Sequence, residues 1–345
     1  MAETVSEIWQ EPTRGALGDT RLLALPGIEQ LRFFLGGPSA APPIARLTGR
    51  RLVEVERGRV VYALPVTGWL VGPKGTLHPG VLALLADAPL LASVHTMLGP
   101  GTISTTAEVS TTFLDTAEEG DELHAEGRQI HTDRTTGLAE VFITRNDGKL
   151  VGHATSRVFI FPPIPQDPPD EPLPRPPEVD DPTPDPPLRP VQGGWVTPAG
   201  LAGASGLELL ERQLAGEISR PPIDHLTGLR LTDAGDGSTT FVLPASPWLA
   251  NEFGTVFGGM IALLASSAGS AAVQSIAPVG TRFTALDMKL NIIRPVQADG
   301  AELTARAQVV HRGRQLAIAS TEIFDGRDKR IAVATGSTML ARRSK

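Results

Sequence analysis

The sequence predicts an α+β protein built as two tandem copies of one unit, each a long buried helix accompanied by about five or six antiparallel strands. Three observations carry this reading: a constant register between the two halves, a proline-rich segment that separates them, and one long apolar stretch in each half followed by strand-like alternation.

The register comes first because it organises the rest. GIEQLRFFLGG at Gly27 answers to GLELLERQLAG at Gly206, IARLTGRRL at Ile44 to IDHLTGLRL at Ile223, and LPVTGWL at Leu64 to LPASPWL at Leu243, always 179 residues apart. GTLHPGVLALLAD at Gly75 falls on GTVFGGMIALLAS at Gly254 with the same offset, which becomes 180 by His131 and His311. Within each copy an amphipathic helix is expected near 27–36 or 206–216, then a strand pair over RLVEVERGRVVYALPV or LRLTDAGDGSTTFVLPA. A helix apolar on nearly every face follows over 79–98 or 258–277. Strand-like runs close the unit, in the second copy TRFTALDMKLNII, AELTARAQVVHRGRQ, LAIASTEIFDG and RIAVATGSTMLA.

The segment 162–190 holds 14 of the chain's 31 prolines together with seven acidic residues, so it is expected to be an extended linker without packed elements. At about 3.1 Å per residue it reaches roughly 90 Å if straight. A proline-rich ligand for a partner domain is the competing reading. The expected organisation is an N-terminal tail 1–26, a first unit 27–161, the linker 162–190 and a second unit 191–345.

Composition removes several function classes. The chain of 345 residues has no cysteine, which excludes disulfides, thiolate metal sites and a cysteine nucleophile. A net charge of −7 argues against a general nucleic-acid binder. The most hydrophobic stretch, VLALLADAPLLASV, is broken by Asp87 and Pro89 and the N-terminus lacks an apolar run, so a cytoplasmic chain without membrane segments is expected. No zinc spacing, phosphate loop or dinucleotide glycine pattern is present, and neither metal nor cofactor is expected.

NEFGTVFGGMIALLAS, DMKLNIIRP and HRGRQLAIASTEI in the second copy, and GTLHPGVLALLAD in the first, resemble the hotdog-fold acyl-CoA thioesterases of the phenylacetate-pathway and 4-hydroxybenzoyl-CoA type. The resemblance spans nearly everything outside the tail and linker. It implies two tandem hotdog domains, each an antiparallel sheet wrapped around its helix, forming a pseudo-dimer within one chain with two composite sites at the interface. Each such site takes a helix N-terminal turn and an upstream amide from one unit, and a carboxylate and a hydroxyl from the other.

Sorted by that pattern, the two copies differ. The carboxylate position is Asp87 in the first copy and Ser266 in the second; the hydroxyl position is Thr106 and Ala285; the amide position is Gly72 and Asn251. The glycine whose N–H polarises the thioester carbonyl is Gly258 in the second copy, whereas the first has Pro79, which carries no N–H. One site therefore combines Asp87, Thr106, Asn251 and Gly258, and the other, with His78, Pro79, Ser266 and Ala285, lacks both carboxylate and donor. One live and one degenerate site per chain are expected.

Phe257 stands where the family has histidine and is read as a packing residue lining the substrate, with Gly259 beside it. His78 keeps the histidine on the degenerate side and is read as structural. Each live-site residue has a plainer reading: Asp87 reaching water or the carbonyl freed four residues before Pro89, Thr106 an ordinary strand residue, Gly258 and Gly259 serving close packing, Asn251 a turn residue. Arg294, Arg312, Arg314 and Arg134 are candidates for the phosphates of coenzyme A, against the reading that they are exposed strand-end charges.

The leading function is an acyl-CoA thioesterase, with coenzyme A entering only as part of the substrate and a homo-oligomer of whole chains as the further assembly. The rivals are a non-catalytic acyl-CoA binding or regulatory protein, and an enoyl-CoA hydratase or dehydratase using His78 with Asp87.

Overall fold

A computed structural model describes residues 7–35, 40–167, 173, 183–197, 200 and 203–342. The first unit comprises α1 (Gly27–Phe34), α2 (Pro43–Thr48), β1 (Arg51–Glu56), β2 (Arg59–Pro65), α3 (Pro79–His95), β3 (Ser104–Phe113), β4 (Glu122–Thr132), β5 (Thr136–Arg145) and β6 (Leu150–Ile160). The second repeats it as α4 (Gly206–Leu214), α5 (Pro222–Thr227), β7 (Arg230–Gly235), β8 (Ser238–Pro244), α6 (Gly258–Ser275), β9 (Thr281–Ile292), β10 (Glu302–Arg312), β11 (Leu316–Phe324) and β12 (Arg330–Arg342). Six strands per unit and the two apolar helices follow the expectation; α3 and α6 end two or three residues early, and position 36 of the first expected helix lies outside the described residues.

The twelve strands form one sheet in the order β1-β2-β4-β5-β6-β3-β9-β12-β11-β10-β8-β7. β3 and β9 join the halves antiparallel, with Ser110 opposite Lys289, its own mate at offset 179, so the pseudo-twofold axis passes through that pair. α3 and α6 lie inside the curve of the sheet and pack on each other, which is why neither has a polar face: Leu84, Leu85 and Leu90 of α3 and Leu263 and Leu264 of α6 are buried. The same devices recur in both units. Gly27 and Gly206 begin α1 and α4 against the last turn of the central helix, where an added Cβ would overlap the carbonyl oxygens of His95 and Gln274 respectively. Their N–H groups donate to Leu98 and Ala277. The Thr96 and Ser275 hydroxyls accept from Gly58 and Gly237 in the strand hairpins, again at offset 179.

Two expectations are corrected. Residues 7–25, expected as a tail, are packed: the Trp248 indole donates to the Glu11 carbonyl (3.0 Å), the Ser246 hydroxyl to the Trp9 carbonyl (2.7 Å), and the Gly18 N–H to the Glu252 carbonyl (2.7 Å). The end of the proline-rich segment, expected to hold no packed element, forms a 3₁₀ turn at Pro186–Leu188 with Pro186 buried. There the Trp69 indole donates to the Arg189 carbonyl (3.1 Å), and the Val196 N–H to the Pro73 carbonyl (2.9 Å). These straps are mates of one another at offset 178, since Ile8–Gln10 forms the matching 3₁₀ turn and Gly15 and Gly193 share positive φ of 112° and 92°. Proline supplies the reason, because a chain of fixed φ that lacks donors is held from outside, by indole and amide donors of the surface it crosses. Residues 168–172 and 174–182 of the linker lie outside the described residues.

Candidate active site

α3 and α6 pass close enough that glycines are needed where they touch. A Cβ on Gly80 would sit 3.1 Å from the Leu263 Cα, and one on its mate Gly259 would sit 2.6 Å from the Leu84 carbonyl oxygen. The packing reading of Gly259 is thus realised. The same approach carries the middle of α3 to the first turn of α6, and there Asp87 is buried, 4% exposed.

Three groups converge on that carboxylate. The Thr106 hydroxyl donates to Oδ1 at 2.7 Å, the Gly259 N–H lies close enough to the carboxylate to favour its charge, and a Cβ on Gly258 would lie 2.7 Å from Oδ2. The carboxylate rests on the positive end of α6. Burial pushes the Asp87 pKa up, opposed by the Thr106 hydrogen bond, the nearby Arg50 charge and the Gly259 N–H. Asp87 therefore does not turn to the carbonyl freed by Pro89. Phe257 provides no side-chain cap to α6, and among the described residues the Gly258 N–H has no hydrogen-bond partner. A carboxylate of raised pKa thus lies beside a free donor at a helix N-terminus.

Asn251 has a turn role: its side-chain carbonyl accepts from the N–H groups of Phe253 (2.9 Å) and Thr255 (3.1 Å) and from the Thr255 hydroxyl (3.1 Å). Among the described residues no hydrogen bond links it to Asp87 or Gly258.

The pseudo-symmetric position is arranged differently. His78 caps α3, with Nδ1 accepting from the Gly80 N–H at 3.0 Å, so the donor next to Pro79 is taken. Its Nε2 faces the Ser267 hydroxyl at 3.3 Å, and that hydroxyl donates to the Leu263 carbonyl at 2.8 Å, which leaves Nε2 as the donor. Burial, with Lys74 adding to it, lowers the His78 pKa to about 4. Ser266 and Ala285 line one hollow with Gly269, Met288 and Thr338. His78 and Asp87 are nine residues apart on one helix, about 13 Å in rise, and do not meet.

Of the arginines, the exposed Arg294 lies two residues beyond Ile292, whose Cδ1 is 3.3 Å from where a Gly258 Cβ would be. Arg312 is a correction: it pairs with Asp236 (3.3 Å) and donates to the Ile276 carbonyl at the far end of α6, about 27 Å in helix rise from Gly258. Arg314 follows on the same hairpin, so neither borders the Asp87 site. Arg134 is exposed on the β4–β5 turn, where Gly137 packs on Val94 in the last turn of α3.

The residue that the sequence reading missed is Arg50. It is 6% exposed, its Nε and Nη1 have no hydrogen-bond partner, and its guanidinium carbon lies over the rings of Phe257 (4.4 Å) and Tyr62 (5.1 Å). The signal was present as LTGR against LTGL, since its mate in the second unit is Leu229.

A model of the thioesterase superfamily matches residues 74–152 and 253–332, once in each unit. A candidate esterase of Halobacterium salinarum is 31% identical over 121 residues, covering 32% of this chain and 78% of that protein. The 1,4-dihydroxy-2-naphthoyl-CoA hydrolase of Listeria monocytogenes is 30% identical over 103 residues, covering 30% of this chain and 83% of the hydrolase. The chain belongs to the thioesterase superfamily. Its class is accordingly that of a thioester hydrolase. The fold of this superfamily member is shared over 87% of the chain by the tesB protein of Mycobacterium avium subsp. paratuberculosis, with a TM-score of 0.53 at 14% identity, covering 98% of the other protein. Both units are hotdog domains. Among the described residues no helix is long and apolar enough to cross a membrane.

Proposed function

We propose that this thioesterase-superfamily chain hydrolyses acyl-CoA esters at a single composite site, in which the first unit supplies Asp87 and Thr106 and the second supplies the N-terminal turn of α6 at Gly258. One observation carries the reading: of two equivalent positions, only this one joins a buried carboxylate to an uncapped helix N-terminus. The thioester carbonyl oxygen accepts from the Gly258 N–H, where the helix dipole favours the charge that develops on attack. Asp87 takes the proton of a water that adds to the carbonyl carbon, or adds itself to give a mixed anhydride that water then opens. In either course the C–S bond breaks, coenzyme A leaves as thiolate, and Thr106 orients the carboxylate by its hydrogen bond. Arg294 is assigned to the phosphates, a reading supported by its exposure two residues beyond Ile292, which neighbours Gly258. At the second position the proline, the occupied Gly80 N–H and the missing carboxylate make a degenerate site.

A hydratase pairing His78 with Asp87 finds no support in the geometry, because the two residues face different partners about 13 Å apart. The test is release of free thiol from a panel of acyl-CoA esters, followed for wild type and for Asp87→Asn. Turnover by the wild type, reduced about 10²-fold or more in the variant, is expected. A wild type that binds the esters and releases no thiol is a binding protein instead, and the proposal fails.

A further inference from the structure

Arg50 has no structural employment that explains it. It follows the left-handed Gly49 that ends α2 and enters the core just before β1, where its Nε and Nη1 are sealed from solvent without a hydrogen bond. No hydrogen bond to this guanidinium exists among the described residues. A guanidinium keeps its proton at any working pH, so a buried one without partners carries the desolvation of a full charge with nothing directly bonded to offset it. The fold does not require it, because the mate Leu229, 1% exposed, fills the same place in the second unit with an apolar side chain.

The location supplies the purpose. The ring that Arg50 overlies most closely belongs to Phe257, the residue directly before Gly258, and the carboxylates whose fields it feels are Asp87 and Glu252. Asp87 is not its hydrogen-bond partner, since Thr106 and the first turn of α6 hold that carboxylate. Both rings present their faces to the guanidinium carbon, and no hydrogen bond occupies its Nε or Nη1, so these donors are unclaimed, and a planar fork of donors matches a carboxylate. A phosphate of coenzyme A is the wrong distance away: those groups sit at the solvent end of the pantetheine arm, while Arg50 is buried beside the reacting carbonyl. At the degenerate position the equivalent trio is Leu229, Phe241 and His78, without a permanent cation, so the chain has placed Arg50 and Asp87 on the same site.

We infer that Arg50 reads a carboxylate on the acyl group, so that the preferred substrates are carboxyacyl-CoA thioesters, with the acyl carboxylate accepting from the Arg50 guanidinium while the thioester carbonyl faces Gly258. The inference rests on the hydrolase reading above and narrows it to a substrate class.

The experiment compares kcat/KM for esters of matched length that differ only in the terminal group: succinyl- against butyryl-CoA, glutaryl- against valeryl-CoA, and adipyl- against hexanoyl-CoA. It is run on wild type, on Arg50→Leu, which installs the residue of the second unit, and on Arg50→Lys, with thermal unfolding as the check on folding. At one length or more the wild type favours the carboxyacyl ester at least about tenfold, and in Arg50→Leu that preference falls about 10–100-fold, as expected for losing a charged hydrogen bond, because any effect through the charge on Asp87 acts on both members of a pair alike. Lysine restores part of the loss. A wild type that prefers the neutral ester at every length, or an Arg50→Leu that lowers both members of each pair alike, overturns the inference. Calorimetric binding of the thioether analogues of the same pairs separates the two readings. If no ester is hydrolysed, the hydrolase proposal fails, and equal binding of charged and neutral analogues by wild type sinks the Arg50 inference by itself.

Discussion

Asp87 sets the behaviour expected at the scale of single residues. Burial raises its pKa above the ordinary 3.8, so the acid limb of kcat/KM inflects above that pH, with activity rising as the carboxylate ionises. Thr106 donates to the charged form, so Thr106→Val moves the limb further up, by about one pH unit. A pH–rate profile that stays in place in the variant contradicts that role. The same shift has a stability sign. A carboxyl with a folded-state pKa above its unfolded value weakens the fold once pH exceeds the folded pKa, and this penalty disappears as pH falls toward 3.8. Asp87→Asn is therefore expected to unfold at a higher temperature than wild type at pH 7, with the gap closing as the pH approaches 4. His78, neutral and serving as a cap, behaves otherwise: His78→Ala costs about 1 kcal/mol in stability and leaves thioester turnover within about twofold. A loss of turnover comparable to Asp87→Asn would place His78 in the chemistry after all. Most of these residues were legible because the duplication allows subtraction: Asp87 against Ser266 and Gly258 against Pro79 stand out once the copies are aligned. Arg50 obeys the same rule and escaped because the comparison stopped at the family's motif, and Asn251 stands at the expected amide position with its carbonyl engaged by its own turn.

Among the elements, the central helices determine what a substitution can reach. Gly206 begins α4 against the end of α6 with no room for a methyl group. Gly206→Ala should therefore cost about 1–3 kcal/mol, as overpacking does, visible as a lower Tm, while turnover of the folded protein at 25 °C is kept. An unchanged Tm would mean that α4 shifts freely. Helices and strands were readable from periodicity, because an all-apolar helix and alternating strands are each dictated by the surfaces they bury. The straps were not readable. Pro12 with Pro190 and Gly15 with Gly193 are faint matches inside runs of different composition. Their order comes from indole and amide donors elsewhere in the chain, a non-local cause that local propensity does not record.

For the whole molecule, duplication places two equivalent crossings of α3 and α6 in one chain, and the differences between the copies gather on opposite sides. The carboxylate, hydroxyl, uncapped helix and buried arginine gather at one crossing, while the mates of these residues are a capped helix that begins with proline, a serine, an alanine and a leucine. Random decay of a duplicated binding protein would scatter these losses over both. The most direct test is thiol release by Asp87→Asn and Ser266→Ala measured side by side, two substitutions at the same position of the repeat. A fall of about 10²-fold or more for Asp87→Asn, with Ser266→Ala within about twofold of wild type, is the result expected of a single composite site. Comparable losses in both variants, or full activity in Asp87→Asn, would contradict it.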